Sequence, residues 1–248
     1  MPVFLLSDKI AFPSPHLASE QGLLAMGGDL SQKRLMLAYS MGIFPWYSDK
    51  EPIMWWSPDP RLVLYPREIK IPKTLKKIIK KKMFQVTMDL DFVQVINQCA
   101  QVRLQKNEPT WIVKDMIDAY CQLHKSGFAH SVEVWQKDEL AGGLYGVSLG
   151  RCFFGESMFT LASNASNVAL VTLVEYLNSL SFDMIDCQMT TRHLIRFGAR
   201  EMPRELFLKR LEESLQTPTL RGKWILPEKT DETIPLKGGT YGNKNNQD

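Results

Sequence analysis

The chain has 248 residues, of which 44% are hydrophobic and 23% charged, and its formal net charge is +3. This length allows one large domain, or one domain with a smaller appendage, and a substantial core. No run reaches the roughly 18 consecutive apolar residues that a membrane span requires. Because the N-terminus also lacks the charged-then-apolar order of a secretory signal, we expect a cytoplasmic protein that does not bind membranes.

The first sixty or so residues are rich in Pro, Gly and Trp and indicate loops with short helices. The run SQKRLMLAYSMG predicts a helix that begins after a Ser31 cap and ends at Gly42. We interpret residues 1–62 as a small accessory lobe.

Residues 63–222 show the pattern of a larger domain. VTMDLDFVQVINQCAQV predicts a strand that leads into a helix, and Val113 to His124 predicts a second helix that ends near Gly127. HSVEVW, ELAGGLYGVSLG and CFFGESMFT then predict three antiparallel strands joined by turns at 137–138 and 150–151.

The second half of this domain continues with a long apolar helix through Leu180, which Asn164 or Ser163 can cap. FDMIDCQM predicts a buried strand and PRELFLKRLEESL a closing amphipathic helix. This order predicts an α+β fold and resembles the acetyltransferase-like (GNAT) domain, with a mainly antiparallel central sheet. For the tail, 223–248, we predict a docked strip near Trp224 and a disordered end.

The basic run from Arg67 to Lys82 contains one acid among many bases. Leu75, Ile78 and Ile79 recur at helical spacing, so the helix would present lysines to solvent. These are Lys73, Lys76, Lys77, Lys80 and Lys81. A solvated surface helix is one interpretation, and contact with the phosphates of a nucleic acid is the one that we favour.

Polar residues interrupt two strand-like apolar runs. Glu156 follows such a run in CFFGESMFT, and Asp186 and Gln188 stand two apart in MIDCQM, a spacing that places both on one face of a strand. Such groups are either hydrogen-bonded pairs in a core or parts of a reactive site. His193, in TTRHLIRFGA, is interpreted as a structural hydrogen-bonding residue near a helix start.

No cofactor or metal is expected. Cys99, Cys121, Cys152 and Cys187 show no C-x-x-C spacing, so we predict free thiols rather than disulfides or zinc ligands.

Further motifs accompany the strand runs AGGLYGVSLGRCFFGESMF and MIDCQM. They are GLLAMGGDL, GIFPWYS, WWSPDPR and TWI. Together these strings resemble the leucyl/phenylalanyl-tRNA–protein transferase family, in the right order from about Phe12 to Leu215. The resemblance implies transfer of Leu or Phe, with Met as a third donor, from aminoacyl-tRNA to the α-amino group of proteins that begin with Arg or Lys. Such transfer marks proteins for degradation by the N-degron route.

The resemblance also implies roles for individual residues. Trp46 and Trp111 would hold the 3′-terminal adenosine of the tRNA by stacking. Asp186 and Gln188 correspond to a catalytic pair in which Asp186 polarises the Gln188 amide. Since an amide is a very poor base, we favour positioning of the amine by Gln188, with Asp186 as orienter. Glu156 would bind or orient the cationic acceptor.

An apolar slot for the donor side chain is implied as well. Its predicted wall consists of Leu144, Phe153, Met158, Leu170, Leu173, Leu177 and Ile185. Family members carry Phe where this chain has Leu173 and Leu177, so the slot is expected to have a different shape here.

Two other functions fit parts of the pattern. An acetyl-coenzyme A-dependent N-acyltransferase would share the fold but needs a glycine-rich phosphate cradle, and the turn TLASNASNVAL contains no glycine. A non-enzymatic tRNA-binding module would not need Glu156, Asp186 or Gln188. We expect the protein to act as a monomer.

Overall fold

A computed structural model describes residues 3–105 and 110–227. Its smaller sheet contains four strands in the order β1-β2-β4-β3. They are β1 (Phe4–Leu6), β2 (Leu23–Gly27), β3 (Phe44–Pro45) and β4 (Met54–Trp56). The expectation of only loops and short helices in this region was wrong, because strands of two to five residues are too short to show an alternating pattern.

The helix predicted in this lobe is confirmed as α1 (Gln32–Ser40). Ser31 accepts a hydrogen bond from the Arg34 backbone N–H at 3.4 Å, and the chain leaves the helix through Gly42, which has φ +68°. This helix carries Tyr39, which is completely buried.

The larger sheet contains seven strands in the order β11-β5-β10-β9-β8-β7-β6. They are β5 (Arg61–Leu64), β6 (Gln85–Met88), β7 (Ala129–Gln136), β8 (Glu139–Leu149), β9 (Cys152–Thr160), β10 (Met184–Asp186) and β11 (Arg200–Met202). The accompanying helices are α2 (Lys73–Lys80), α3 (Phe92–Gln105), α4 (Lys114–Lys125), α5 (Ala165–Ser179), α6 (Arg192–Arg196) and α7 (Arg204–Leu215). The sequence did not indicate β5 or β11.

The predicted three-stranded meander is confirmed as β7, β8 and β9. Within the described ranges, β9 and β10 form the one parallel pair of the larger sheet, and α5 connects them. A mainly antiparallel sheet with one such βαβ crossover has the acetyltransferase-like (GNAT) topology, so the predicted α+β fold is confirmed.

Side chains from the two faces of this sheet enter different core clusters. Cys152 and Phe154 of β9 pack in the cluster that includes residues of α3 and α4, whereas Phe153 packs with residues of α5. This alternation is the period of two that a strand imposes. An extra residue within β9 therefore reverses which of the two clusters the side chains that follow it face.

The predicted cap of α5 is not observed. Asn164 occupies the position before the helix but has φ +69° and makes no capping hydrogen bond. Capping side chains normally require an extended backbone at this position, so the left-handed conformation explains the difference. The Asn164 amide instead donates to Ser163 Oγ at 3.0 Å.

The basic helix α2 has the predicted amphipathic character. Leu75 is 2% exposed and packs against the α5 side of the sheet, while Lys73, Lys76, Lys77, Lys80 and Lys81 are all exposed. The docked strip is also confirmed, since Trp224 is buried. The end predicted to be disordered, 228–248, lies outside the described residues.

None of the helices in the described ranges is long and apolar enough to cross a membrane.

Candidate active site

A cleft of about 510 Å³ lies where β9 and β10 separate. The two strands pair from Met184 opposite Cys152 to Asp186 opposite Phe154, where β10 ends while β9 continues to Thr160. Beyond the last pair, the separated chains contribute Glu156 and Gln188 to the cleft wall. The end of β10 therefore creates the space in which these two side chains meet.

A β-bulge in β9 directs Glu156 into this site. Tyr145 of β8 lies opposite Ser157 and Gly146 lies opposite Gly155, so Glu156 is the extra residue on β9. A bulge leaves the extra residue unpaired and changes the direction of its side chain. Here the Glu156 carboxylate reaches Tyr39 of α1 and Tyr120 of α4.

The Glu156 carboxylate accepts three hydrogen bonds. Oε1 accepts from the Tyr39 hydroxyl at 2.8 Å and from Gln188 Nε2 at 2.9 Å, and Oε2 accepts from the Tyr120 hydroxyl at 3.0 Å. Burial raises the pKa of Glu156 to about 7, although these hydrogen bonds oppose the rise. Near neutral pH the site can therefore hold or release a proton at this carboxylate.

Asp186 forms a buried ion pair with Arg61. The guanidinium donates from Nε to Oδ1 at 2.8 Å and from Nη2 to Oδ2 at 2.6 Å, and both side chains have no exposed surface. Asp186 Oδ1 also accepts the backbone N–H of Gln188 at 2.8 Å. Asp186 thus fixes the backbone at Gln188, and in the described residues its carboxylate makes no hydrogen bond to the Gln188 amide side chain.

The expectation that Asp186 and Gln188 share one face of a strand was wrong. β10 ends at Asp186, and Gln188 has φ +60°, which lies in the left-handed region. The hydrogen bond from the Gln188 N–H to Asp186 stabilises this turn. The two side chains consequently point to different partners, Arg61 and Glu156.

Both predicted adenosine-binding tryptophans line the cleft. Trp46 is 39% exposed, and its ring meets that of Trp56 edge-on, with 5.6 Å between centroids and 63° between planes. Trp111 is half-buried. The cleft thus presents indole rings in the same space as Glu156 and Gln188.

Six of the seven residues predicted to surround the donor side chain line the same cleft. They form what we call the donor slot and are Leu144, Phe153, Met158, Leu170, Leu173 and Ile185. Leu177 differs: it is fully buried among the core residues of α5 and is not part of the described cleft wall. Likewise, neither the four lysines of α2 nor Lys81, which follows the helix, is among the described residues that line the cleft.

The chain matches the family described as leucyl/phenylalanyl-tRNA protein transferase over residues 63–212, and the N-terminal domain of the same family over residues 28–59. The chain belongs to this family. The transferase of Desulfatibacillum aliphaticivorans is 58% identical over 226 residues, which cover 91% of this chain and 97% of that relative. The transferase of Desulforapulum autotrophicum is 52% identical over 225 residues, or 91% and 98% of the two chains.

Among solved structures, an aminoglycoside acetyltransferase from an uncultured soil metagenomic sample aligns with 48% of this chain and 86% of its own chain. The TM-score is 0.38 and the identity 12%. The family match and the two related transferases confirm the family resemblance that the sequence motifs indicated.

Sequence reasoning missed several residues of this candidate site. Tyr39, Tyr120 and Arg61 are distant from Glu156 and Asp186 in sequence, and Tyr39 and Tyr120 occupy ordinary core positions of helices. The one local signal was the charge of Arg61 at the start of an apolar strand, since a buried arginine requires a partner.

His193 also lines the cleft. Its Nδ1 lies 3.4 Å from Arg196 Nη2, and its Nε2 is buried with no hydrogen-bond partner in the described part of the chain. Burial lowers the pKa of His193, which keeps the ring neutral near pH 7. Throughout residues 3–105 and 110–227, no cluster of three His, Cys, Asp or Glu side chains is arranged to hold a metal ion.

Proposed function

We propose that this chain transfers Leu or Phe, with Met as a third donor, from aminoacyl-tRNA to the α-amino group of proteins that begin with Arg or Lys. One observation carries the proposal: a single cleft combines the donor slot, the indoles of Trp46 and Trp111, and the hydrogen-bonded pair of Glu156 and Gln188. The donor slot and the two indoles suit the aminoacyl-adenosine end of a charged tRNA. Glu156 and Gln188 suit the attacking amine.

The donor would be bound in three parts. The terminal adenine stacks on Trp46 and Trp111, which contributes roughly 1–3 kcal/mol for each stacked contact. The Leu or Phe side chain enters the donor slot. The tRNA body then lies along the exposed lysines of α2, whose charges attract its phosphates.

Gln188 is proposed to position the amine. Its Nε2 donates to Glu156, and its carbonyl oxygen has no hydrogen-bond partner among the described residues, so this oxygen can accept an N–H of the acceptor. The amine nitrogen attacks the ester carbonyl carbon and forms the new C–N bond. The acyl C–O bond to the tRNA ribose then breaks, and the 3′-oxygen leaves as a hydroxyl after it takes up the proton that the amine lost.

Glu156 is proposed to orient the cationic acceptor and to receive the proton that the amine loses. A carboxylate attracts both the α-ammonium and the side-chain charge of Arg or Lys. With a pKa of about 7, it can also exchange a proton at physiological pH. Asp186 and Arg61 act as positioning residues, because they hold the backbone of Gln188 rather than the reacting atoms.

By analogy with the family, the modified proteins would enter the N-degron route of degradation, with the transferase acting as a cytoplasmic monomer. The accessory lobe, 1–62, would supply Trp46 to the cleft of the main domain, 63–222.

The donor distinguishes this proposal from an acetyl-coenzyme A-dependent N-acyltransferase. Purified protein is mixed with a peptide that begins with Arg and with either leucyl-tRNA or acetyl-coenzyme A, and the peptide mass is measured. We expect addition of one leucyl group with the tRNA donor and no acetylation, because the turn before α5 lacks the glycines of a pyrophosphate cradle. Acetylation without tRNA would overturn the proposal.

A further inference from the structure

The segment near Trp224 is bound tightly to the main sheet, although it lies beyond residue 212, where the family match ends. The Trp224 indole is 2% exposed and stacks on the His130 ring, with centroids 3.7 Å apart and planes at 6°. Its backbone N–H donates to Asp89 Oδ2 at 2.7 Å. The stacking of its ring and the hydrogen bond of its backbone N–H therefore both hold this residue in position.

Asp89 organises this attachment. It is 4% exposed, and its carboxylate accepts from His130 Nδ1 and from the Ser131 backbone N–H, each at 2.8 Å, in addition to Trp224. A buried carboxylate with three donors is rigid, because each lost hydrogen bond would leave a buried polar atom unpaired. The Asp89 carboxylate thus holds the backbone of Trp224 in a defined position.

Trp224 also packs against the wall of the donor slot. Its ring lies 5.9 Å from Phe153, 5.3 Å from Tyr176 and 6.0 Å from Phe182, measured between centroids. Phe153 lines the cleft and is fully buried. The Phe153 ring also approaches the backbone of Gly146, where an added Cβ would lie 2.5 Å from it.

These contacts restrict the position of the Phe153 ring. At position 146 only glycine, which has no Cβ, allows the Phe153 ring to approach this closely. Trp224 occupies space into which the ring would otherwise move. Since Phe153 belongs to the wall of the donor slot, the space available to the donor side chain depends on Trp224. Trp224 itself is not among the described residues that line the cleft.

We propose that Trp224 is a positioning residue for donor specificity, which holds Phe153 in place and so favours Leu over the larger Phe in the donor slot. The inference rests on the proposed function, because it concerns the donor of that reaction. Removing the indole lets Phe153 withdraw, which enlarges the slot, weakens the fit of Leu and admits Phe more easily.

The test compares donors that differ in one amino acid. A single tRNA transcript is charged with Leu or with Phe, and kcat/KM is measured for each donor with a peptide that begins with Arg. In Trp224→Leu we expect the ratio of Phe to Leu to rise roughly tenfold, the lower end of the effect that one methylene in an apolar slot produces. Trp224→Phe, which keeps an aromatic ring, should lie between the wild type and Trp224→Leu, and it decides the question if Trp224→Leu fails to fold.

Arg221→Ala provides the matched control. Arg221 fixes the same segment, since its Nη2 donates to the Ser126 carbonyl at 2.9 Å and its guanidinium lies 4.5 Å from the Phe128 ring centroid. It makes none of the contacts to Phe153. Arg221→Ala should therefore leave the ratio of Phe to Leu unchanged, and an equal shift in this variant would show that general loosening of the segment is responsible.

A second comparison tests whether Trp224 acts through Phe153. In a Phe153→Leu background, Trp224→Leu should change the ratio less than twofold, because residues that act as a unit are not additive. An unchanged ratio in folded Trp224→Leu or Trp224→Phe overturns the inference while the proposed function stands. Absence of transfer from either donor in the wild type would instead contradict the proposed function.

Discussion

Gln188 donates its side-chain amide hydrogen to the Glu156 carboxylate at 2.9 Å, across the gap where β9 and β10 separate. The carboxylate thereby determines which end of the amide faces the cleft, because an ionised carboxylate only accepts hydrogen bonds. Two tyrosine hydroxyls also donate to this carboxylate, that of Tyr39 to the oxygen that Gln188 contacts and that of Tyr120 to the other oxygen. The chemistry of the site consequently depends on the protonation of one buried acid.

The raised pKa of Glu156 predicts a specific dependence of stability on pH. The folded protein retains the Glu156 proton up to about pH 7, whereas the unfolded chain releases it near 4.5. Between these values the unfolded state binds fewer protons, so stability falls as pH rises, by at most about 1.4 kcal/mol per pH unit. The Tyr39 and Tyr120 hydroxyls, whose pKa values lie well above 10, do not titrate in this window.

Urea denaturation of the wild type and of Glu156→Gln at several pH values measures this effect. The free energy of unfolding of the wild type should fall relative to that of Glu156→Gln from about pH 4.5 to about pH 7 and then stay level. Parallel curves for the two proteins would contradict the raised pKa.

Asp186→Asn should destabilise the fold strongly. The substitution leaves the Arg61 charge buried without its counter-ion, and breaking a buried pair in this way typically costs about 3–5 kcal/mol. Urea denaturation gives the value. Lys114→Ala, which removes an exposed ion pair to Asp118, is the control and should leave the free energy of unfolding nearly unchanged. Wild-type stability in Asp186→Asn would show that the buried pair does not support the turn at Gln188.

Trp46→Ala and Trp111→Ala should each weaken binding of leucyl-tRNA, by roughly 1–3 kcal/mol, because each removes one stacking surface for the terminal adenine. Filter binding measures the dissociation constant. Trp135→Phe serves as the control, since Trp135 does not line the cleft and donates its Nε1 hydrogen to Thr87. Equal affinities in all four proteins would remove both residues from the adenosine site.

Charge reversal on α2 should weaken tRNA binding and reduce its dependence on salt. Lys76→Glu together with Lys80→Glu removes two cations from the exposed face, so the slope of log K against log salt should decrease in magnitude by about 1–2. Lys209→Glu with Arg210→Glu makes the same change in charge on exposed residues of α7. If both double variants show the same slope, α2 is a solvated helix without a role in tRNA binding.

The sequence predicted those parts of the fold that have long periodic patterns. The three strands β7, β8 and β9 and the helices α1, α3, α4 and α5 each extend over at least eight residues, so their apolar periods are visible. β5 and β11 are short. β5 is buried and pairs with β11 and β10, whereas two of the three residues of β11 are exposed. Such strands are formed by tertiary contacts, which a single sequence does not display.

The sequence singled out some residues of the candidate site but none of the contacts between them. Glu156, Asp186 and Gln188 stood out as polar residues in apolar runs. The sequence could not show that Arg61, 125 residues from Asp186, neutralises it. Nor could it show that the left-handed backbone at Gln188 turns its amide toward Glu156, because the bulge in β9 and the end of β10 together determine that geometry.

The central claim is that the chain joins an aminoacyl group from tRNA to a free α-amine. Mass spectrometry of peptides incubated with the protein and leucyl-tRNA tests it most directly, with peptides that begin with Arg, with Lys, and with N-acetylated Arg. We predict one leucyl group on the amino terminus of each free peptide and none on the acetylated peptide. Leucylation of the acetylated peptide, or no leucylation of any of them by folded protein, would contradict the claim.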